Sequence, residues 1–414
     1  MALPAGMRAL ANRNFRLYFT GQAVSILGSW IQQVALAWLV YRLTGSAALL
    51  GITAFCGLIP QLVVGPLAGA WIDKQDKKKW LVGVQSLMAV QAFVLAGLTW
   101  GDWIGTSFIV VMALVLGTLS AFDAPLRQSL IGSFIGSRED LPNALALNAM
   151  LFNAGRFIGP PIAGLLLGLT SEAFCFAING FSFLALIAGV LLVRGTPPPR
   201  AKGSMGEVFK EGLAYAWQTW SVRTLILTLI ALNLTASTYA VLLPVFARDV
   251  FAGDATTLGW LWGAAGCGAF ASTIFLATRK TTPAVVSAVV AGVLIAAVAM
   301  LVFALTTWLP LALAGMVGLG FGISICNVGI NMVLQSFAPE TLRGRIVSFF
   351  TSARFGFDAL GGLLAGFIAA GFGAGHTLLA EGGVLLCFVV FLFSRRERLV
   401  AQVTAAHEGA SRGH

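Results

Sequence analysis

The 414-residue chain is 58% hydrophobic and only 10% charged, whereas soluble domains carry about 25% charged residues, so a water-soluble globular domain is excluded. The net charge of +10 does not point to a nucleic-acid partner, because the basic residues are scattered over short loops instead of being gathered on one soluble face. The composition is that of an all-α, multi-pass membrane protein whose surroundings are the lipid bilayer.

A span needs roughly 20 mostly apolar residues. Twelve runs meet that requirement in chain order: 17–41, 46–72, 80–100, 105–122, 143–169, 173–194, 223–246, 257–277, 284–306, 310–334, 346–370 and 377–394. Ten of the eleven Trp lie near the ends of these runs, as the interfacial preference of indole predicts. Trp30 is the exception, in mid-span.

Arg8, Arg13 and Arg16 precede the first run. Further basic residues occupy alternate gaps: Lys74 to Lys79, Arg127 and Arg138, Arg194 to Arg223, Arg279 and Lys280, Arg343 and Arg345, and the tail from Arg395 to Arg412. The intervening gaps hold only Arg42 and Arg248. Positive loops stay on the cytoplasmic side during insertion, so both termini are expected in the cytoplasm and the number of spans is even. The first run is long enough to span and lacks a small-residue cleavage site, which reads as an anchor and not as a signal peptide.

Polar residues in a span are costly, so their arrangement is informative. In the first run Gln22, Ser25, Ser29 and Gln33, with Gln32 beside them, fall within an arc of roughly 100° on a helix. Asp123 and Arg127, four apart at the end of the fourth run, read as a surface pair. Arg156, in the middle of the fifth run, has no carboxylate near it in sequence and requires a partner on another helix or an anionic ligand. Asn233 and Ser237 make a short polar row in the seventh run, and Ser324, Asn327, Asn331 and Gln335 a long one in the tenth. The two long rows read as walls of one aqueous cavity, or else as hydrogen-bonding seams between helices. Arg354 and Asp358, four apart in the eleventh run, are either a structural ion pair or a site that binds a coupling proton. Glu381 lies just inside the last run.

The longest polar stretch, Gly195 to Val222, divides the chain into residues 1–194 and 223–414, with six runs in each. Within it, Val208, Leu213 and Trp217 give an apolar face that predicts either a short amphipathic helix on the cytoplasmic membrane surface or a plain linker. The halves also repeat: Arg156 is followed by Gly164 and Gly168, and Arg354 by Gly362 and Gly366, at the same spacings.

Catalytic signals are missing. No Gly-Lys dipeptide occurs, hence no Walker A loop, and neither a nucleotide partner nor an enzyme activity is expected. Gly266-Cys-Gly268 and Gly318-Leu-Gly320-Phe-Gly322 lie inside runs, where glycine permits close helix approach. The five cysteines stand apart without metal-ligand spacing, so no metal and no cofactor are expected.

These residues resemble the major facilitator superfamily over essentially the whole chain. Gly69-Ala-Trp-Ile-Asp73-Lys-Gln-Asp-Lys77-Lys78 is similar to that family's loop between helices two and three, with Lys74 for the usual Arg and Asp76 for the usual Gly. By resemblance, Asp73 caps a cytoplasmic gate with Lys74, Lys77 and Lys78 while the cavity opens outward. Gly155-x-x-x-Gly159-Pro160-x-x-x-Gly164 looks like the motif of antiporter members, with the closing Gly-Gly displaced. Asn14-Phe-Arg-Leu-Tyr18, Gly28-Ser-Trp-Ile-Gln32, Ala121-Phe-Asp-Ala-Pro125 with Arg127-Gln128, and Arg343-Gly-Arg345 resemble the branch that contains the bacterial enterobactin exporter and macrolide-efflux proteins.

The resemblance implies twelve transmembrane helices in two pseudo-symmetric six-helix bundles, and a monomer in a bacterial cytoplasmic membrane. It implies a proton-driven exporter of a siderophore or similarly sized amphipathic small molecule, with multidrug or macrolide efflux next and uptake of a small metabolite third. A membrane receptor or scaffold that does not transport is the reading from another class. The candidate cavity residues are Gln22, Ser25, Ser29, Trp30, Gln33, Asn233, Ser237, Ser324, Asn327 and Asn331. The candidate coupling charges are Arg156, Arg354, Asp358, Glu381 and Asp123, with the proton gradient as energy source. The first helix has no carboxylate, which favours a large hydrogen-bonding cargo over a simple organic cation.

Overall fold

The computed structural model describes residues 5–72, 75–194, 219–279, 281–337 and 340–411. They are helical almost throughout, as a bilayer requires of a chain that must satisfy its backbone groups internally. The long helices are α1 (Arg13–Thr44), α2 (Ala47–Val63), α3 (Gly65–Ile72), α4 (Lys77–Trp100), α5 (Thr106–Phe134), α6 (Leu141–Leu169) and α7 (Glu172–Leu192). They continue with α8 (Trp220–Thr235), α9 (Tyr239–Val245), α10 (Ala255–Ala277), α11 (Thr282–Leu305), α12 (Leu309–Phe337), α13 (Glu340–Phe372) and α14 (Ala374–Ser411). Among the described residues, eleven helical segments are long and apolar enough to cross a membrane.

The second predicted run, 46–72, is interrupted and forms α2 and α3. Pro60 and Pro66 each remove a backbone donor, which breaks regular helix at Val64. The chain nevertheless continues in the same direction. The amide of Val64 donates to Pro60 O at 2.7 Å, and that of Ala68 to Val64 O at 2.7 Å. The run predicted over 223–246 is likewise discontinuous: a 3-10 turn at Ala236–Thr238 separates α8 from α9, and a π turn, Phe246–Val250, follows Pro244. Two other helices outrun their predicted ends. The α5 helix continues through Pro125 to Phe134, and α14 continues past residue 394 to Ser411. The amphipathic helix expected within 195–222 falls on residues outside the described ones, apart from the start of α8.

Caps explain several boundaries. The Asn12 side chain accepts from the amides of Asn14 and Phe15 at the start of α1, and Gly45, at φ +59°, closes it with its amide on Tyr41 O. Asp76 accepts from the amide of Lys79 and so caps α4. This gives a local structural reason for Asp76 at a position where the family loop has Gly.

Contacts divide the chain into two compact units. One comprises the described residues of Met1–Gly45, Ile59–Gly203 and Asp254–Gly263; the other comprises those of Ser46–Leu58, Ser204–Gly253 and Ala264–His414. The first has a core in which Phe15 and Tyr18 of α1 pack with Leu81 and Val84 of α4, Leu126 and Phe134 of α5, and Phe183 and Leu186 of α7. In the second, α11 and α12 pack backbone to backbone, where a Cβ on Gly322 would stand 2.5 Å from Gly292 O.

The internal repeat appears as one packing motif in each unit. A Cβ on Gly259 of α10 would stand 2.7 Å from Pro160 O and 2.8 Å from Gly164 Cα. A Cβ on Gly51 of α2 would stand 2.8 Å from Gly362 O and 3.1 Å from Gly366 Cα. Pro160 therefore corresponds to Gly362 and Gly164 to Gly366. This register is four residues later than the one read from the sequence, and it sets Arg156 opposite Asp358 in the repeat instead of Arg354.

Candidate functional site

The polar row of α1 separates into two groups. Gln22, Ser25 and Gln32 are buried, and each is bound to another helix. Gln22 Nε2 donates to Asn148 Oδ1 of α6 at 2.8 Å, and Ser25 Oγ accepts from Arg127 Nη2 of α5 at 3.2 Å. Gln32 Nε2 donates to Gln91 Oε1 of α4 at 3.2 Å, while its own Oε1 accepts from Asn179 Nδ2 of α7 at 2.8 Å. Ser29 and Trp30 are half-buried and Gln33 is exposed. Among the described residues, the Ser29 hydroxyl donates only to its own helix, at Ser25 O.

Asp123 and Arg127 correct an expectation. They are not a surface pair: α5 carries both inside the first unit, with 9% and 7% of their surface exposed. Arg127 Nε lies 2.7 Å from Asp123 Oδ2, an ion pair without the linear N–H geometry of a hydrogen bond. Gln85 Nε2 of α4 donates to the other carboxylate oxygen at 2.5 Å. The buried hydroxyl of Tyr18 has no hydrogen-bond partner among the described residues. This cluster joins α1, α4 and α5 through charge-assisted bonds, which are stronger than neutral ones.

In the loop that resembles the family's gate, Asp73 and Lys74 lie outside the described residues. Gly69 is in α3, and Lys77 and Lys78 open α4. Lys78 Nζ donates to Val193 O at 2.6 Å. One residue on, the amide of Arg194 donates to Asn14 Oδ1 at 3.2 Å. The end of α7 is thus held by α1 and α4 together. At the opposite ends of α1 and α7, Arg42 Nε pairs with Glu172 Oε1 at 2.6 Å.

The glycines of the antiporter-like motif serve close approach. A Cβ on Gly155 would collide with Ile26 Cγ2, and one on Gly159 would stand 2.5 Å from Trp30 Cβ. Gly164 faces α10, with Ala255 O 2.8 Å from its would-be Cβ. Pro160 presents its carbonyl to Gly259. The Trp30 and Trp262 rings meet edge to face at 5.6 Å. Arg156, beside these contacts, is half-buried and makes no hydrogen bond or ion pair with a described residue.

The second unit contains a row that the sequence placed on separate helices. Ser237 Oγ donates to Asn233 Oδ1 at 3.2 Å, and Asn233 Nδ2 approaches Asn327 Oδ1 at 3.4 Å. Ser324 Oγ donates to Ala269 O of α10 at 3.3 Å. Ser324, Asn327 and Asn233 are buried, whereas Asn331 is half-buried and accepts from Gln335 Nε2 at 3.1 Å. At the 3-10 turn Thr238 Oγ1 donates to Glu381 Oε2 of α14 at 2.5 Å. Arg354 and Asp358 are half-buried on α13.

Sequence reading missed Asn148, Gln85, Gln91, Asn179, Thr238 and Trp262. None of them belongs to a long row with the repeated spacing that drew notice to α1 and α12. Among the described residues no cluster of three or more His, Cys, Asp or Glu is placed to hold a metal ion.

The profile of the family described as transmembrane secretion effector matches residues 5–411. The multidrug efflux pump Tap of Mycolicibacterium fortuitum is 30% identical over 391 residues, which cover 90% of this chain and 93% of Tap. The staphyloferrin A transporter of Staphylococcus aureus is 26% identical over 409 residues, covering 96% of this chain and 100% of that one. Among solved structures, a bacterial homologue of the human lysosomal transporter Spinster superposes with a TM-score of 0.76 at 12% identity, over 94% of this chain and 97% of its own. That last likeness is one of fold.

Proposed function

The chain belongs to the transmembrane secretion effector family of the major facilitator superfamily, and from that premise we propose that it is a proton-driven exporter working by alternating access. Its cargo is a siderophore or a similarly sized amphipathic molecule, carried out across the bacterial cytoplasmic membrane. With α2 and α3 counted as one interrupted span, the helices number twelve, in two six-helix bundles over 1–194 and 223–414. Residues 195–222 join the bundles, and both termini are cytoplasmic.

The observation that carries this reading is the glycine seam found twice, Gly164 on Gly259 and Gly366 on Gly51. Both seams lie in the last turns of one long helix and the first turns of another. A contact made by backbone, without interdigitated side chains, can part and close again without repacking. In the first unit the less enclosed Ser29, Trp30 and Gln33 meet cargo, with Gln22 and Ser25 as the support behind them. In the second, Ser237 and Asn331 do so, with Asn233, Ser324 and Asn327 behind them. Gly69, Asp73, Lys74, Lys77 and Lys78 form the cytoplasmic gate.

Efflux of chemically diverse drugs is the second reading, favoured by the 30% identity to a multidrug pump. Flux into inside-out vesicles of purified protein, with staphyloferrin A in one arm and a lipophilic fluorescent dye in the other, tests both. Uphill accumulation of siderophore that collapses with the pH gradient is the expected result. Dye accumulation without siderophore transport selects the second reading. Absence of flux in both arms removes the exporter assignment.

A further inference from the structure

Arg156 stands at the midpoint of α6, about 20 Å of helix from either end. Its guanidinium keeps its charge, it is half-buried, and it makes no hydrogen bond or ion pair with a described residue. A charge at this depth requires a counter-charge, and the described part of the chain does not supply it.

The surroundings indicate what does. On one side of α6, Gly155 and Gly159 lie under Ile26 and Trp30; on another, Pro161 and Gly164 lie under Gly263 and Gly259 of α10. Ile158 and Leu165 are exposed, as lipid-facing residues are. At about 100° per residue, Arg156 falls between the two helix contacts, on the side away from Ile158 and Leu165. That arc is bounded by the Trp30–Trp262 pair. Trp262 Nε1 is buried and lacks an acceptor, although an indole N–H is a donor that burial normally pairs.

We propose that Arg156 and Trp262 Nε1 together bind an anionic oxygen group of the cargo, a carboxylate or its equivalent, with the Trp30 ring against the cargo's flat apolar part. The depth of Arg156 puts a lipid headgroup out of reach, so the anion belongs to the transported molecule. This inference rests on the exporter reading and narrows its substrates to amphipathic anions.

The test uses 1-naphthoate and its neutral isostere 1-naphthamide, titrated calorimetrically into the full-length protein in a non-ionic detergent. Naphthoate should bind about ten-fold tighter than naphthamide, the effect of one charge-assisted contact. In Arg156→Gln that preference should vanish while naphthamide affinity stays. Trp262→Phe, which keeps the ring contact and removes the donor, should weaken naphthoate more than naphthamide and so shrink the preference, because the bond to the carboxylate is the charge-assisted one. It serves if the arginine variant does not fold. Equal affinities in the wild type, undetectable naphthoate binding, a preference that survives in Arg156→Gln, or one left undiminished in Trp262→Phe overturns the proposal. Binding needs no gradient, so the readings separate. Charge preference in a protein without flux removes the exporter and keeps the anion site, and flux with equal affinities does the reverse.

Discussion

Gly164 and Gly259 approach so closely that a Cβ on the first would stand 2.9 Å from the Cα of the second. Gly366 and Gly51 repeat the relationship at 2.9 Å. Real Cβ atoms do not tolerate backbone at such distances, so any larger residue forces the helices apart. Seams of this kind hold without interlocking, which suits the opening and closing that the proposed alternating access requires.

A covalent lock across the first seam should therefore stop transport. A Cβ on Gly168 would lie 2.8 Å from Thr256 Oγ1, within the reach of a disulfide, whose Cβ atoms stand about 3.8 Å apart. Gly168→Cys with Thr256→Cys, in a background without the native cysteines, should crosslink on oxidation and lose flux. Reduction should restore it. Full flux in the quantitatively crosslinked protein would show that the seam stays shut throughout the cycle.

The Asp123–Arg127 pair gives a second expectation. Removing one partner of a buried ion pair costs about 3–5 kcal/mol, because the other charge is left uncompensated; an exposed pair is worth about 1 kcal/mol or less. Asp123→Ala should accordingly lower the apparent unfolding temperature strongly. Asp123→Asn combined with Arg127→Gln should recover much of the loss. A single variant as stable as wild type would return the pair to the surface.

Neighbours in the α1 row should behave differently. Gln32 bonds to Gln91 and Asn179 inside the unit, whereas Gln33 is exposed. Gln32→Leu strands two buried polar partners and should cost stability, by about 1–3 kcal/mol for each group left unpaired. Gln33→Leu should leave unfolding unchanged and weaken cargo binding by up to about ten-fold, the loss of one hydrogen bond; Asn331→Leu should do likewise. If Gln33→Leu alters melting and not binding, the row is a packing seam along its whole length.

Much of this architecture is legible in the sequence because the bilayer imposes a coarse rule. Apolar length marks α1, α4 to α7 and α10 to α14, whatever their neighbours. The rule fails where backbone chemistry acts locally. Pro60 and Pro66 break one run that hydropathy joins, while Pro125 fails to end α5, whose helix continues past two charges into the interior. Spacing showed that Gln22, Ser25 and Gln32 share a face of α1. It could not show that Asn148, Arg127 and Gln91 meet that face, because spacing along one helix does not say which residues of other helices oppose it. The repeat was visible as glycines, but only the contacts at Gly164 and Gly366 fix its register.

That register bears on coupling. It makes Asp358 the counterpart of Arg156, so equivalent places in the two halves hold an acid and a base of opposite charge. Asp358 is half-buried on α13, where a carboxylate that takes up a proton once per cycle can drive exchange. Glu381 is held by the Thr238 hydroxyl at the 3-10 turn, a bond that also anchors a break in a spanning helix. We predict that Asp358→Asn abolishes accumulation driven by a pH gradient and preserves exchange of cargo down its own gradient. Glu381→Gln keeps an oxygen to accept from Thr238 and should retain coupled transport. Paired measurements in vesicles, with and without a pH gradient, separate the two roles. Concentrative transport by Asp358→Asn together with uncoupling by Glu381→Gln would move the proton to the helix break, and uncoupling by neither would leave Asp123 as the next carboxylate to test.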